Sequence, residues 1–310
     1  YFFQADKEFT LETPTEVPVY PVALHDAISR NLLAELSGVT LPADMDPWIQ
    51  IGAGSVGSKI VTHLGRAGLA PQVIIDNKCL SPHNSARYAL TLPIDHYGLT
   101  WLSPKADIMC AVLAGLDQSA TPIRQDAVDW RYDQKALRLA VPRHTAAVVN
   151  STASLAIREA LAAIPRDQLP ARVIESALYG QGRVGLLTLE GVERNPNTAD
   201  LTLEAYALAR SNCGLQHLLL QNESQTNRQA IGQGCGTTTM VMSDARISLL
   251  AAATSQKLIE WRTGALPQQG ELYISQVSPD GMNLTWTSES VAPFKVIAPE
   301  NNDRWQVRIS

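Results

Sequence analysis

A surplus of basic charge is missing from this sequence. Its 25 Lys and Arg residues are outnumbered by 30 Asp and Glu, a formal net charge of -5. It therefore lacks the basic surface that nucleic-acid binding needs. Long apolar runs are missing too, since none reaches the roughly 18 residues of a transmembrane helix. Cysteine is scarce: Cys79, Cys110, Cys213 and Cys235 are widely scattered and form no disulfide framework. No C-x-x-C pair is there to hold zinc, and a reducing cytoplasm suits such a chain best. There is no initiator Met, and Tyr1-Phe2-Phe3-Gln4 lacks the ordered basic, apolar and cleavage regions of a signal peptide. The sequence reads as part of a longer protein. What is present is an ordinary globular balance, 45% hydrophobic and 18% charged over 310 residues. That is enough for one large α/β domain with appendages.

Residues 1–20 are rich in Thr, Pro and Glu and read as a lead-in, with one domain expected over 21–300. Apolar spacing predicts a helix over His25 to Leu36. Trp48 to Ile51 is a short apolar strand, Gly52 to Gly57 a glycine turn, and Ser58 to Arg66 a helix with Gly68 as its stop. Val73 to Ile75 is a buried-type strand ending at Asp76, which completes one βαβ unit. A helix from Pro104 to Leu116, a strand over Ala146 to Val149 and a helix from Leu155 to Ala163 follow. Val173 to Leu178 and Gly185 to Leu189 are further strands. This alternation predicts a doubly wound, mostly parallel α/β sheet of Rossmann-like type. From Val192 to Gln229 the pattern fails, and a mobile insertion over about 192–231 is expected, with a helix near Thr202 to Arg210. A long helix over Ser243 to Arg262 follows. Glu271 to Ile297 alternates as a terminal hairpin around Pro279-Asp280-Gly281.

Gly52-Ala53-Gly54-Ser55-Val56-Gly57 is a G-x-G-x-x-G turn between strand and helix. Glycine there permits a tight turn and close approach of the backbone to phosphate, and the helix N-terminus behind it favours an anion. Asp76 lies 19 residues beyond Gly57, where a carboxylate accepts ribose hydroxyls. On these features alone a nucleotide is expected, and NAD most often, so an NAD(P) oxidoreductase is one reading.

The residues from Asp76 to Arg87, Asp-Asn-Lys-Cys-Leu-Ser-Pro-His-Asn-Ser-Ala-Arg, together with Lys105 after Ser103-Pro104, favour another. This stretch resembles the signature of the ThiF and ubiquitin-activating-enzyme superfamily, and the likeness extends over about 40 to 300. The resemblance implies binding of ATP and Mg²⁺ and activation of a protein C-terminus as an acyl-adenylate. Gly52, Gly54, Gly57, Asp76 and Asn84 would hold the nucleotide. Arg87 would clamp phosphate oxygens with its planar fork, and Lys105 would add a point charge. Arg30 corresponds to an Arg that in the family reaches the triphosphate from the second subunit of a homodimer. Singly, each of these cations reads as a solvated surface residue.

The family places a magnesium-binding Asp at the end of the fourth strand, where this chain has Asn150, 45 residues past Lys105. Asn keeps the shape and loses the charge, which weakens a magnesium site. Three readings follow: a variant that recruits another carboxylate, with Asp126 and Asp129 as substitutes; a chain that binds without turnover; or an Asp replaced to trap a complex. Ubiquitin-activating members pass the acyl group to a cysteine. Cys235, among glycines in Gly232-Gln233-Gly234-Cys235-Gly236, is the leading thiol and Cys213 the runner-up, with Cys79 and Cys110 read as structural. The expected partners are a ubiquitin-like protein's C-terminal tail and a ubiquitin-conjugating-like protein or fused domain. With no zinc pairs, the chain resembles bacterial ubiquitin-activating-like proteins, which are often linked to JAB-type metalloproteases and antiviral conjugation. Residues 301–310, which include Trp305 to Ser310, resemble the opening strand of such a JAB domain. A binding scaffold without chemistry is the third reading, and Asn150 supports it.

Overall fold

The computed structural model describes residues 26–91, 102–219, 228–230, 238–297 and 307–309. In chain order its helices and strands begin α1 (Arg30–Leu36), β1 (Trp48–Ile51), α2 (Ser55–Arg66), β2 (Val73–Ile75), α3 (Lys105–Ala114) and β3 (Thr121–Ile123). They continue with α4 (Gln134–Ala140), β4 (Ala147–Asn150), α5 (Leu155–Ala163), β5 (Arg172–Tyr179), β6 (Val184–Leu189), α6 (Thr198–Ser211) and α7 (Cys213–Leu219). The remainder are β7 (Arg228–Ala230), β8 (Thr238–Met240), α8 (Asp244–Thr263), β9 (Gly270–Val277), β10 (Leu284–Val291), β11 (Lys295–Ile297) and β12 (Val307–Ile309).

Eight strands form one sheet in the order β10-β9-β6-β5-β4-β1-β2-β3. The five from β5 to β3 run parallel, and β6, β9 and β10 join antiparallel. β1, β2 and β4 are buried at every position and mostly apolar, because both sheet faces are covered there. Ile49, Ile51, Val148 and Val173 pack with Trp130, Leu137 and Leu161 on one face. Trp48, Val149 and Ile174 pack with Ile60, Leu64, Leu258 and Trp261 of α2 and α8 on the other. The fold is thus a doubly wound α/β sheet, and the order β3-β2-β1-β4-β5 puts the topological switch between β1 and β4.

Differences from the sequence-based expectation have local causes. The first helix starts at Arg30 because the Ser29 side chain caps it, accepting from the Leu32 amide. The second starts at Ser55, inside the glycine turn. β3 was not expected: it is three residues long, contains Pro122 and lies at the sheet edge, the one place a strand tolerates proline. Within the expected insertion, residues 198–219 are two packed helices. Asn197 opens α6, its Oδ1 accepting from the amides of Ala199 and Asp200 at 2.9 and 3.1 Å. The Asn-Pro-Asn segment is therefore a helix start. Ala205 and Ala209 of α6 and Leu215 of α7 pack on Leu186 and Ile274 of the sheet. The expected C-terminal hairpin is formed by β9 and β10, and β9 also pairs with β6. Val307–Ile309 pairs antiparallel with Lys295–Ile297. No helix among the described residues is long and apolar enough to cross a membrane.

Candidate active site

A cavity of about 540 Å³ opens at the β1/β4 switch, at the C-terminal ends of the parallel strands. Gly52, Gly54 and Ser55 form its floor and Asp76, Asn77 and Lys78 one wall. Arg87 and Lys105 reach it from the segment after β2 and from the start of α3. Gln125, Asp126 and Ala127 close the side beyond β3. On the opposite side stand Ser151–Ser154, Ile157 and Ser176–Leu178, with Met240, Met242 and Ile247 above them. One side carries the charged residues, and the other is uncharged, with small hydroxyl side chains among apolar ones.

The glycine turn is built for close approach. Gly52 takes φ +87°, a left-handed conformation that a side chain would strain. Gly57 is buried, and a Cβ there would overlap the Gly52 carbonyl oxygen and Ser151 Oγ. Gly54 has nothing within 4 Å of the same point, so its missing side chain leaves open cavity. Asp76 is fixed at the strand tip by two amides: Ala53 N donates to Oδ2 and Lys78 N to Oδ1, both at 2.8 Å. Its carboxylate is thereby locked to the turn it faces.

The cationic side has two members in different states. Lys105 is only 8% exposed. Burial holds its pKa below the ordinary lysine value, with Asp76 pulling it back up and Lys78 pushing it further down. Arg87 donates from Nη1 to the Met240 carbonyl, joining the segment after β2 to the end of β8. His83 lies beside both, and burial, then Lys105, then Arg87 lower its pKa.

Asn150 is fully buried at the end of β4 and is not part of the cavity lining. Its Oδ1 accepts from the Thr152 amide and hydroxyl, while its Nδ2 has no partner. As it stands this side chain offers a cation no free oxygen. Among the described residues, no group of three His, Cys, Asp or Glu side chains could hold a metal ion. Asp126 does line the cavity, its Oδ1 accepting from Val128 N and its Oδ2 from Asn77 Nδ2, both at 3.1 Å. Asp129 is exposed outside it.

Gly52, Gly54, Asp76, Arg87 and Lys105 are thus brought to one cavity, with Gly57 beneath it. Asn84 is not part of the lining, and its Oδ1 accepts from Ser81 N at 2.9 Å within a tight turn. Arg30 lies at the far end of α2, its Nε donating to the Gly68 carbonyl at 2.9 Å. Cys235 is outside the described residues. Cys110 is buried, and burial, then Asp107, pushes its thiol up to about 12, so it is inert. Cys79 and Cys213 are exposed, and neither lines the cavity. Sequence reasoning assigned no role to Lys78, Gln125 or the Ser151–Ser154 loop. The small polar run after the strand was a readable signal for the loop, but nothing marks Gln125.

No known family's sequence profile matches the chain. No curated protein matches its sequence either. Solved structures with a similar arrangement include MccB of E. coli with AMPCPP and MccA, at 11% identity and a TM-score of 0.48, aligned over 80% of this chain and 65% of that one. MccB with ATP aligns at 12% identity and TM-score 0.49 over 84% and 68%. PaaA aligns at 14% identity and TM-score 0.49 over 79% and 73%. The chain spans about two thirds of the length of MccB.

Proposed function

We propose that the chain binds ATP in this cavity and adenylates the C-terminal carboxylate of a ubiquitin-like protein. The observation that carries this reading is the meeting of Gly54, Asp76, Arg87 and Lys105 at one strand switch. Asp76 accepts the ribose hydroxyls, the Gly52–Ser55 turn cradles the phosphates, and Arg87 and Lys105 offset charge around them. The uncharged side, from Ser154 through Ala177 to Met242, receives the chain end. A carboxylate oxygen attacks the α-phosphorus, the bond to the β-phosphate oxygen breaks, and pyrophosphate leaves. Magnesium is part of the family chemistry that the sequence resembles. Among the described residues no three His, Cys, Asp or Glu side chains build a cage for it.

A thiol then takes the acyl group from the adenylate, releasing AMP, and hands it to a conjugating partner. Cys235 is the residue proposed. A homodimer in which Arg30 of one copy serves the site of the other belongs to the same reading. The second reading is a nucleotide- and partner-binding scaffold without turnover, favoured by the buried, fully committed oxygen of Asn150.

ATP–pyrophosphate exchange, measured on this chain and on Asn150→Asp with magnesium and a bound ubiquitin-like partner, separates the two. Exchange in either form supports adenylation. Exchange in neither, with partner binding demonstrated, leaves the scaffold.

A further inference from the structure

Strand β10 ends the sheet, and the register of its outer edge follows from two hydrogen bonds. Val277 N donates to the Arg183 carbonyl on the β6 side at 2.8 Å, and Ser278 N donates to the Asn283 carbonyl on the β10 side at 2.9 Å. An antiparallel ladder continues that alternation. Thr285, Thr287 and Glu289, in step with Asn283, therefore turn their amides and carbonyls toward β9. Leu284, Trp286, Ser288 and Ser290 turn theirs outward, and no strand among the described residues pairs with them. This edge carries none of the usual guards. It holds no Pro and no Lys, and its pairing with β9 runs without a bulge from Leu284 to Val291.

The side chains say what fits this edge. Trp261 of α8, Tyr273 of β9 and Trp286 of β10 form a row of edge-to-face rings, with centroids 5.8 and 6.4 Å apart. The row stops at the edge, where Trp286 is 39% exposed. We propose that β10 pairs antiparallel with β10 of a second copy of this chain, about a two-fold axis at Thr287, so that two sheets become one. In this register Leu284 faces Ser290 of the second copy and Trp286 faces Ser288, so every outward amide meets an outward carbonyl. The two Trp286 rings lie diagonally across the axis on one face, within reach of each other, and the aromatic row runs on into the second copy. Glu289, the only charge in the strand, falls opposite Thr285 rather than opposite itself. An axis at Ser288 instead would separate the two tryptophans and leave Leu284 without a β10 partner.

This contact is independent of the nucleotide reading and distinct from the one through Arg30. Sedimentation of the intact chain across micromolar concentrations tests it, and the parent should reach a mass twice that of the chain. At the axis Thr287 faces its own copy in a non-hydrogen-bonded pair, where side chains come closest. Thr287→Lys alone and Thr287→Glu alone set like charges against each other and should each weaken the dimer by at least about tenfold. An equimolar mixture of the two should restore it. Ser288→Pro removes an outward donor and no bond to β9, so it should also dissociate the dimer while dilute samples melt with the parent. Thermal melts establish that each variant is folded, and Thr287 is exposed, so neither charge disturbs the core. A monomeric parent, or Lys and Glu variants that each stay dimeric, overturns the proposal. A mixture no more dimeric than its components overturns the pairing at Thr287.

Discussion

Asn150 and Thr152 are joined twice: Asn150 Oδ1 accepts from the Thr152 amide at 3.2 Å and from the Thr152 hydroxyl at 2.7 Å. Thr152 Oγ1 in turn accepts from Ser154 N at 3.2 Å, so the side chain at 150 shapes the loop that walls the cavity. An Asp at this position keeps both Thr152 bonds and replaces an unpartnered NH₂ with a second, charged oxygen. Without a counter-charge, that buried carboxylate should lower stability by about 1–3 kcal/mol. Magnesium should then raise the melting temperature of Asn150→Asp and leave the parent unmoved. Equal responses of the two proteins would show that position 150 is not where a cation is held.

Two glycines of one turn should fail differently. A Cβ at Gly57 meets the Gly52 carbonyl and Ser151 Oγ, so Gly57→Ala forces the turn apart and should cost roughly 1–3 kcal/mol of stability. A Cβ at Gly54 meets nothing in the protein and projects into cavity space. Gly54→Ala should melt within a degree or two of the parent, which corresponds to less than about 0.5 kcal/mol. Its nucleotide binding should be at least about tenfold weaker, because phosphate can no longer reach the backbone. Melting and calorimetry on both variants check this. A Gly54→Ala chain that binds as well as the parent would remove the phosphates from this turn.

The glycine turn and Asp76 were legible because strand-turn-helix geometry fixes their spacing locally, whereas Arg87 and Lys105 were marked only by the family resemblance. Gly68 was legible as a stop from the same local geometry, and it adopts φ +73°. Gln125 was not legible, because its place in the cavity depends on β3 pairing with β2, and β3 is too short and proline-bearing to announce itself. The helix expected near Thr202 to Arg210 is α6, but its start and the α7 that follows were not legible, because polar caps such as Asn197 look like loop composition until their hydrogen bonds are seen. Asn84 fits the resemblance by spacing, yet in the structure its oxygen closes the Ser81 turn. Spacing says which residues are near, and tertiary contacts decide what each side chain is free to do.

Lys105 should give the site a pH dependence that begins below the ordinary lysine range. Its folded pKa lies below the ordinary 10.5, chiefly from burial. Between that lowered value and the unfolded one, the unfolded chain holds a proton the folded chain has released, so stability of the free protein rises with pH across this window. Nucleotide affinity should run the other way. Phosphate favours the charged amine, so binding is strongest below the lowered pKa and weakens as pH rises through it. Lys105→Arg stays charged throughout and should flatten the profile without abolishing binding. A profile that is the same in the parent and in Lys105→Arg would mean another group titrates.

Stability of the cavity's rear wall should depend on a buried ion pair. Glu175 is 0% exposed, and Arg158 Nε lies 2.8 Å from each of its oxygens. Thr198 Oγ1 donates to Glu175 Oε2 at 2.7 Å, and the Thr198 amide donates to Glu190 at 2.9 Å, so α6 is tied to the sheet through two buried carboxylates. Arg158→Met strands a charge in the core and should cost about 3–5 kcal/mol. The double variant Arg158→Met with Glu175→Leu removes charge and partner together and should recover more than half of that loss, since well-packed apolar replacements of buried pairs are often near neutral. Ser176 and Ala177 follow Glu175 along β5 and line the cavity, so nucleotide binding should fall in Arg158→Met and return in the double variant. Denaturant melts and calorimetry on the two singles and the double close the cycle. Losses that simply add would show that the two side chains act independently, and the tie between α6 and the cavity would then have to lie elsewhere.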